Sequence, residues 1–362
     1  MMPYTLCKKV RELEPYDPIS GTYKIRLDAN ESYYNLSEEL KEELKNVIDD
    51  IAFNRYPDPN AVKLIEAFAD YYDLNPDNIT ATNGSDEMLY LLASAVLEKN
   101  SKVIVVDPDF SMYGFYSFLS ENQVITYNKN SELNIDVDEL MTLANEKKAD
   151  MIIFSNPCNP TGQGITAEQA RKLVKGCENS LVVLDEAYMD FWDQSLLTEV
   201  ADYDNLIVLK TASKAVGAAA VRLGFAVANT TITKALRAVK APYNVNTVSQ
   251  EVGVCIYRHK ALLNERRDEI ISNTKALYEG ITKLIGNYQL PFKAYEPCAN
   301  FVYVETEKAK DIYEYMLENS IAIRYFGKAD ALRITTGSEE ENKEFLVNLE
   351  QYIIKNILKR NR

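Results

Sequence analysis

Between residues 102 and 228, short β-branched apolar runs alternate with amphipathic segments. That alternation restricts the fold more than any other property of the chain. KVIVVDP opens the series, and QVITY, ADMIIFSNP, SLVVLDEA, NLIVLKTAS and LGFAVAN follow. Runs that are apolar at nearly every position read as strands buried on both faces. Strands joined by helices need right-handed crossovers, so they build a mostly parallel sheet between helical layers. TAEQARKLVKGCE is one connecting helix, with a capping-box pattern of Thr166 and Gln169 at its start. Ahead of the series, three more helices are expected. They are SEELKEELKNVIDDIA with Ser37 as N-cap, NAVKLIEAFADYY opened by Asn60, and NGSDEMLYLLASAVLEKN after a Gly-containing turn.

Beyond about residue 245 the texture changes. Residues 246–285 read as mainly helical; FVYVE, IAIRYF and LRITT then read as short strands around the helix DIYEYMLEN, and an amphipathic helix ends the chain. The expected fold class is α/β. A large domain over residues 37–245 holds the mostly parallel sheet. Residues 1–36 form an N-terminal arm, and 246–362 a smaller α+β domain.

Composition removes several classes of function. Lys plus Arg is 40 and Asp plus Glu is 54, a net charge of −14, which repels nucleic acid backbones. No apolar run approaches the roughly 18–20 residues of a membrane helix, and the nearest, 217–228, is interrupted by Arg222. The N-terminus lacks the apolar core of a signal peptide. Five cysteines without CxxC spacing argue against a disulfide frame and a zinc knuckle, so a reducing cytoplasmic setting is expected. The single histidine, His259, sits in the charged stretch YRHKALLNERR and reads as solvated. Without a second histidine or a GxSxG motif, a Ser-His-Asp hydrolase and a histidine-based metal site are both disfavoured, and no metal site is expected. No GxGxxG follows a strand, which disfavours a dinucleotide oxidoreductase. Proton chemistry is left to Lys, Tyr, Asp or Glu, with a cofactor.

Open α/β sheets bind ligands beyond the carboxyl ends of their strands. There the sequence places Asp185 through Tyr188, Thr211 through Lys214, and Ser155 through Gly162. Arg222 precedes the last strand, and Ser85 and Asp86 begin a helix. Free N–H groups at that helix start, the hydroxyls of Thr211 and Ser213, and the Arg222 guanidinium make a phosphate cup. A lysine beside cup hydroxyls can form a Schiff base. A carboxylate ending the neighbouring strand, Asp185, can keep a pyridinium nitrogen protonated. Together they match the pattern of pyridoxal phosphate sites.

The stretches LDANES, RYPDP, NGSDE, PDFSMY, NPCNPTG, LDEAYMDF, TASKAVGAAAVRLGFAVAN, APYNVNTVSQ and ALRITTGSEEEN resemble the fold-type I pyridoxal-phosphate aminotransferases. Within them, the chain is most similar to the histidinol-phosphate aminotransferase family, over about residues 12–345. The resemblance implies transfer of an amino group between L-histidinol phosphate and 2-oxoglutarate or glutamate, with pyridoxal 5'-phosphate as cofactor, in a homodimer with shared sites. The alternatives are a related enzyme with the same cofactor that acts on aromatic amino acids or decarboxylates threonine phosphate, and a non-catalytic α/β binding protein. The resemblance also implies that Lys214 carries the cofactor and moves the proton, and that Asp185 pairs with the ring nitrogen. Tyr188 and Asn159 would bond the ring oxygen, and Ser85, Asp86, Thr211, Ser213 and Arg222 would hold the phosphate. Phe110 stands where the family usually has a stacking tyrosine, and Tyr56 would reach the neighbouring subunit's cofactor. Arg333, Arg324 and Tyr16 would contact the substrate's anionic groups. The chain departs from the family's usual Asn-Glu-Asn-Pro-x-Gly with Asn30-Glu31-Ser32-Tyr33-Tyr34-Asn35. It also shortens the Gly-rich segment before Arg333 to Phe326-Gly327-Lys328.

Overall fold

The structure, a computed structural model, describes residues 4–11, 13 and 19–358. Helix α1 (Lys8–Arg11), β1 (Ile25–Leu27), α2 (Glu38–Asp49) and α3 (Val62–Tyr72) come first. The alternating region follows as β2 (Ile79–Asn83), α4 (Ser85–Leu91), β3 (Lys102–Asp107), α5 (Met112–Leu119), β4 (Gln123–Asn128), α6 (Val137–Lys147), β5 (Met151–Ser155), α7 (Ala167–Gly176), β6 (Leu181–Asp185), β7 (Leu206–Thr211) and β8 (Leu223–Ala228). Then come α8 (Thr230–Val239), α9 (Thr247–Arg258), α10 (Lys260–Tyr288), β9 (Lys293–Tyr295), β10 (Phe301–Glu305), α11 (Ala309–Glu318), β11 (Ile321–Phe326), β12 (Ala331–Thr335) and α12 (Glu339–Tyr352).

The large sheet has the order β2-β8-β7-β6-β5-β3-β4. Its pairs from β7 to β4 are parallel, while β8 runs antiparallel to both β7 and β2. Two-residue periodicity divides each central strand between two cores. Ile152, Phe154, Val182, Leu184 and Val208 face α2, α3, α6, α7 and α9; Ile153, Val183 and Leu209 face α4, α5 and α8. The parallel sheet between helices expected from the alternation is therefore present. β2 was not expected. Its Thr-rich sequence carries little apolar signal, and it is held as an edge strand by pairing with β8.

A second sheet, β1-β11-β12-β10-β9, packs with α10, α11 and α12 around a separate core containing Leu27, Leu277, Val302, Ile323 and Phe345. The arm enters this sheet through β1, which pairs in parallel with β11. The packing does not divide at residue 245. Val252, Val254, Ile256 and Leu263 turn into the first core, and α10 runs from there to Leu277 and Ile281 in the second. Among the described residues no helix is long and apolar enough to cross a membrane.

Local signals at helix starts are met in two of three cases. Ser37 accepts from Leu40 N, and Thr166 with Gln169 forms a full capping box. Asn60 does not cap α3. Asp58 takes that part, its carboxylate accepting from Val62 N at 2.8 Å and Asn60 N at 3.0 Å. His259 is not simply solvated either: it terminates α9 and bonds Glu43 of α2 at 2.8 Å.

Behind the catalytic edge, Lys210 of β7 is 2% exposed and donates to Asp190 at 2.8 Å. Glu186 is buried beside them, and burial pushes its carboxyl up to about 7. Removing one partner of a buried ion pair leaves the other uncompensated. Lys210→Met is expected to lower unfolding free energy by about 3–5 kcal/mol, read by chemical denaturation. A loss under about 1 kcal/mol, the worth of an exposed pair, would show that the pair does not act as buried.

Candidate active site

Register brings the site together. Ser155 pairs with Asp185 across β5 and β6, and Asp185 with Leu209 across β6 and β7. The segments that follow these three strands therefore leave the sheet side by side. Asp185 lies on the face of Val183, toward α5, where Tyr113 Oη donates to its Oδ2 at 2.8 Å. Ala187 N donates to Oδ1 at 3.1 Å. Burial dominates and pushes the Asp185 carboxyl up to about 6, against these two donors, with Asp109 and Asp86 adding to the rise. It is a buried acid that lacks a cation.

Beside it, Thr211 Oγ1 bonds Ser213 Oγ at 3.0 Å and accepts from Ser213 N at 3.2 Å. Gly224 of β8 lets the start of α4 lie against the sheet, since a Cβ there would come within 2.4 Å of Ser85 N. Gly84 has φ +75°, and a Cβ on it would meet Arg222 Nη2 at 2.6 Å. Only glycine thus leaves room for the guanidinium over this turn. Arg222 Nη2 also lies 3.3 Å from Asp86 Oδ2. Ser85, Asp86, Thr211, Ser213 and Arg222 are gathered as expected.

Lys214 is half-buried. Its Nζ donates to the Ala29 carbonyl at 3.0 Å and lies 5.7 Å from the Tyr188 ring centre. Tyr188 Oη accepts from Asn30 Nδ2 at 2.9 Å. Arg333 of β12 is buried, donates from Nη2 to the Asp28 carbonyl at 2.7 Å and from Nη1 to Asn159 Oδ1, and packs against the rings of Phe301 and Phe326. Arg324 stands directly opposite Arg333 across β11 and β12, so the two share a sheet face. Asp109 accepts from Ser155 N at 3.0 Å and from Phe110 N at 2.7 Å, and Asn159 N donates to Ser155 Oγ at 3.0 Å. This chain of bonds sets the positions of Phe110 and Asn159. The Phe110 ring lies edge-on to Tyr113 at 5.5 Å.

Tyr56, expected at a neighbouring subunit's cofactor, faces outward. Tyr56 is 81% exposed and stacks on Tyr243 at 4.6 Å. Tyr16 lies outside the described residues. Three residues were not assigned from sequence. Asp28 and Asn30 tie the arm to Arg333 and Tyr188, and Asn30 also bonds Thr335 at 2.9 Å through its own N–H. The signal was the LDANES stretch itself. Tyr113 lies three residues after Phe110, one helical turn along, which is where a second side chain of PDFSMY could reach the sheet.

The family described as aminotransferase class I and II matches residues 22–349. A histidinol-phosphate aminotransferase of Clostridium novyi is 40% identical over 94% of both chains. One from Clostridium kluyveri is 37% identical over 96% of this chain and 98% of its own. The crystal structure of histidinol-phosphate aminotransferase from Sinorhizobium meliloti in complex with pyridoxal-5'-phosphate superposes with a TM-score of 0.85. It is 20% identical, covering 96% of this chain and 97% of that one.

The residues present fit pyridoxal phosphate. Asp185 lacks the cation that a pyridinium N–H would provide, the Gly84 cradle is floored by a guanidinium suited to a dianion, and the Lys214 amine stands between them and the arm. The chain is accordingly a pyridoxal phosphate-dependent aminotransferase of class I and II and belongs to the histidinol-phosphate aminotransferase family.

Proposed function

We propose that the chain transfers the amino group between L-histidinol phosphate and 2-oxoglutarate, within histidine biosynthesis. The carrying observation is the pair Arg333 and Arg324, opposite each other on one sheet face. One substrate brings a phosphate and the other two carboxylates, and a planar guanidinium accepts either anion in a bidentate fork. The relatives quoted above bear the same enzyme name.

The bound cofactor supplies an electrophilic carbon and an electron-accepting ring. Around it the chain's own groups do the following. Lys214 Nζ, released from the Ala29 carbonyl, would take the proton from the substrate Cα and return it to the carbon on the far side of the amino nitrogen, two bonds away. Asp185 keeps the ring nitrogen protonated, with Tyr113 and Ala187 fixing the carboxylate. Tyr188 and Asn159 would donate to the ring oxygen, and Phe110 would lie against the ring. Ser85, Asp86, Thr211, Ser213 and Arg222 would hold the phosphate, joined by the partner subunit's Tyr56. Asp28 and Asn30 tie Arg333 and Tyr188 into one unit, so a substrate anion is placed relative to the reacting atoms.

A homodimer follows from the same reading. Phe53, Tyr56, Val62 and Tyr243 are exposed large apolar residues, and a second copy would cover them. The setting is cytoplasmic, in keeping with five cysteines that are all free. The catalytic body is built on the large sheet, with α9 and the start of α10 packed into its core.

The test follows the visible band of purified holoenzyme. L-histidinol phosphate is expected to bleach it rapidly, and 2-oxoglutarate to restore it. A band that responds to phenylalanine and not to histidinol phosphate would sink the substrate assignment and leave the chemistry of Lys214 intact. Carbon dioxide released from threonine phosphate would point to a decarboxylase.

A further inference from the structure

The chain's single histidine takes part in a cluster that the aminotransferase chemistry does not use. His259 ends α9 and begins α10, and its Nε2 lies 2.8 Å from Glu43 Oε2 on α2. Four residues earlier, on α9, the Cys255 thiol lies within 4.8 Å of the same carboxylate. One ligand atom from each of the three residues lies within 4.8 Å of the others. Cys255 is 2% exposed, whereas the side chains of Glu43 and His259 are 38% and 26% exposed. The trio thus has a closed floor and a mouth open to water.

We propose that Glu43, Cys255 and His259 form a binding site for a divalent transition-metal ion of the zinc class, with water as the fourth ligand. One sulfur, one imidazole nitrogen and one carboxylate oxygen are the donor types that Zn2+ takes, in tetrahedral sites that keep one position open. Magnesium and calcium prefer all-oxygen shells and gain nothing from a thiolate. Thiolate and carboxylate together balance a dication, with the imidazole neutral. Metal–ligand lengths of about 2.0–2.3 Å put neighbouring ligand atoms roughly 3.3–3.7 Å apart. The 2.8 Å contact between His259 and Glu43 therefore needs to open by about 0.5–0.9 Å. The part-exposed Glu43 side chain can make that shift without disturbing the core.

Without metal the same groups satisfy one another. Burial and the adjacent Glu43 carboxylate push the Cys255 thiol up to about 12, so the metal-free sulfur keeps its proton. Binding replaces the thiol proton by the metal and releases that proton to solvent. The ion would tie α2 to the α9–α10 junction. Because α10 continues into the second core, the site would brace the point from which the smaller body is carried. None of this depends on the substrate assignment.

Cobalt(II) reads the site directly, because its tetrahedral d–d bands lie in the red, clear of the cofactor's absorption. Titration of purified holoenzyme with Co2+ is expected to give intense bands saturating at one equivalent per chain and lost when one equivalent of Zn2+ is added. His259→Asn and Glu43→Gln, both at part-exposed positions, are each expected to weaken Co2+ at least ~10-fold, since even groups behind metal ligands are worth that much. Cys255→Ser is expected to remove the intense bands. Zn2+ should raise the Tm of the wild type and leave that of His259→Asn unchanged. Faint octahedral bands only, or the same Co2+ titration in wild type and His259→Asn, would overturn the proposal even if the buried Cys255 variant fails to fold.

Discussion

Lys214→Ala is expected to lower kcat/KM by about 10^2–10^4-fold while leaving the chain folded. The half-buried amine makes one hydrogen bond, to the Ala29 carbonyl, so its loss costs little structure. The other candidate bases closest in sequence or type are held elsewhere. Lys210, four residues earlier, faces the other side of the sheet and is held by Asp190 at 2.8 Å. The only histidine bonds Glu43 between α2 and α9. Lys214→Arg is expected to fail equally, because a guanidinium does not give up its proton. Steady-state rates with circular dichroism as the fold control decide the matter. A variant that kept a tenth of wild-type activity would remove Lys214 from the proton path.

Asp185→Asn is expected to cost about 10^3-fold in kcat, ~4 kcal/mol, as removal of a preorganised electrostatic partner does elsewhere. An amide cannot hold a ring nitrogen protonated. The same substitution is expected to stabilise the cofactor-free protein. The folded carboxyl titrates at about 6 against an ordinary 3.8, so the folded chain holds this proton more tightly than the unfolded one. Stability is therefore lost as pH rises from about 4 to about 6, by at most ~3 kcal/mol above that window. The asparagine has no charge to bury. Cofactor-free Asp185→Asn should melt above wild type at pH 7, and the difference should vanish toward pH 4. A variant that melts lower at both pH values would mean that Asp185 acts as a packing residue, not as a buried charge awaiting a cation.

These opposite signs separate function from stability at one residue. Asp185 is unfavourable in the empty site and useful when a pyridinium faces it. Lys210 and Asp190, one layer behind, are already paired and expected to matter for folding alone.

The amino-acid sequence by itself determined the alternating strands and helices, because two-residue and 3.6-residue periodicities are local properties. It also placed Asp185, Lys214 and Arg222, since each lies within a few residues of a recognisable strand. What it did not determine are contacts between distant segments. Arg333 is held by a carbonyl 305 positions away, and Asn30 meets Tyr188 across 158. Tyr113 was hidden by the neighbouring Phe110, and only the packing of α5 against β3 and β4 turns its hydroxyl to Asp185. The meeting of Glu43, Cys255 and His259 required α2 and α9 to pack together. Strand β2 lacked an apolar pattern and exists because β8 supplies its hydrogen bonds. In each case the deciding quantity is a pairing or packing energy between segments far apart in the chain. No local pattern records it, and tertiary structure alone supplies it.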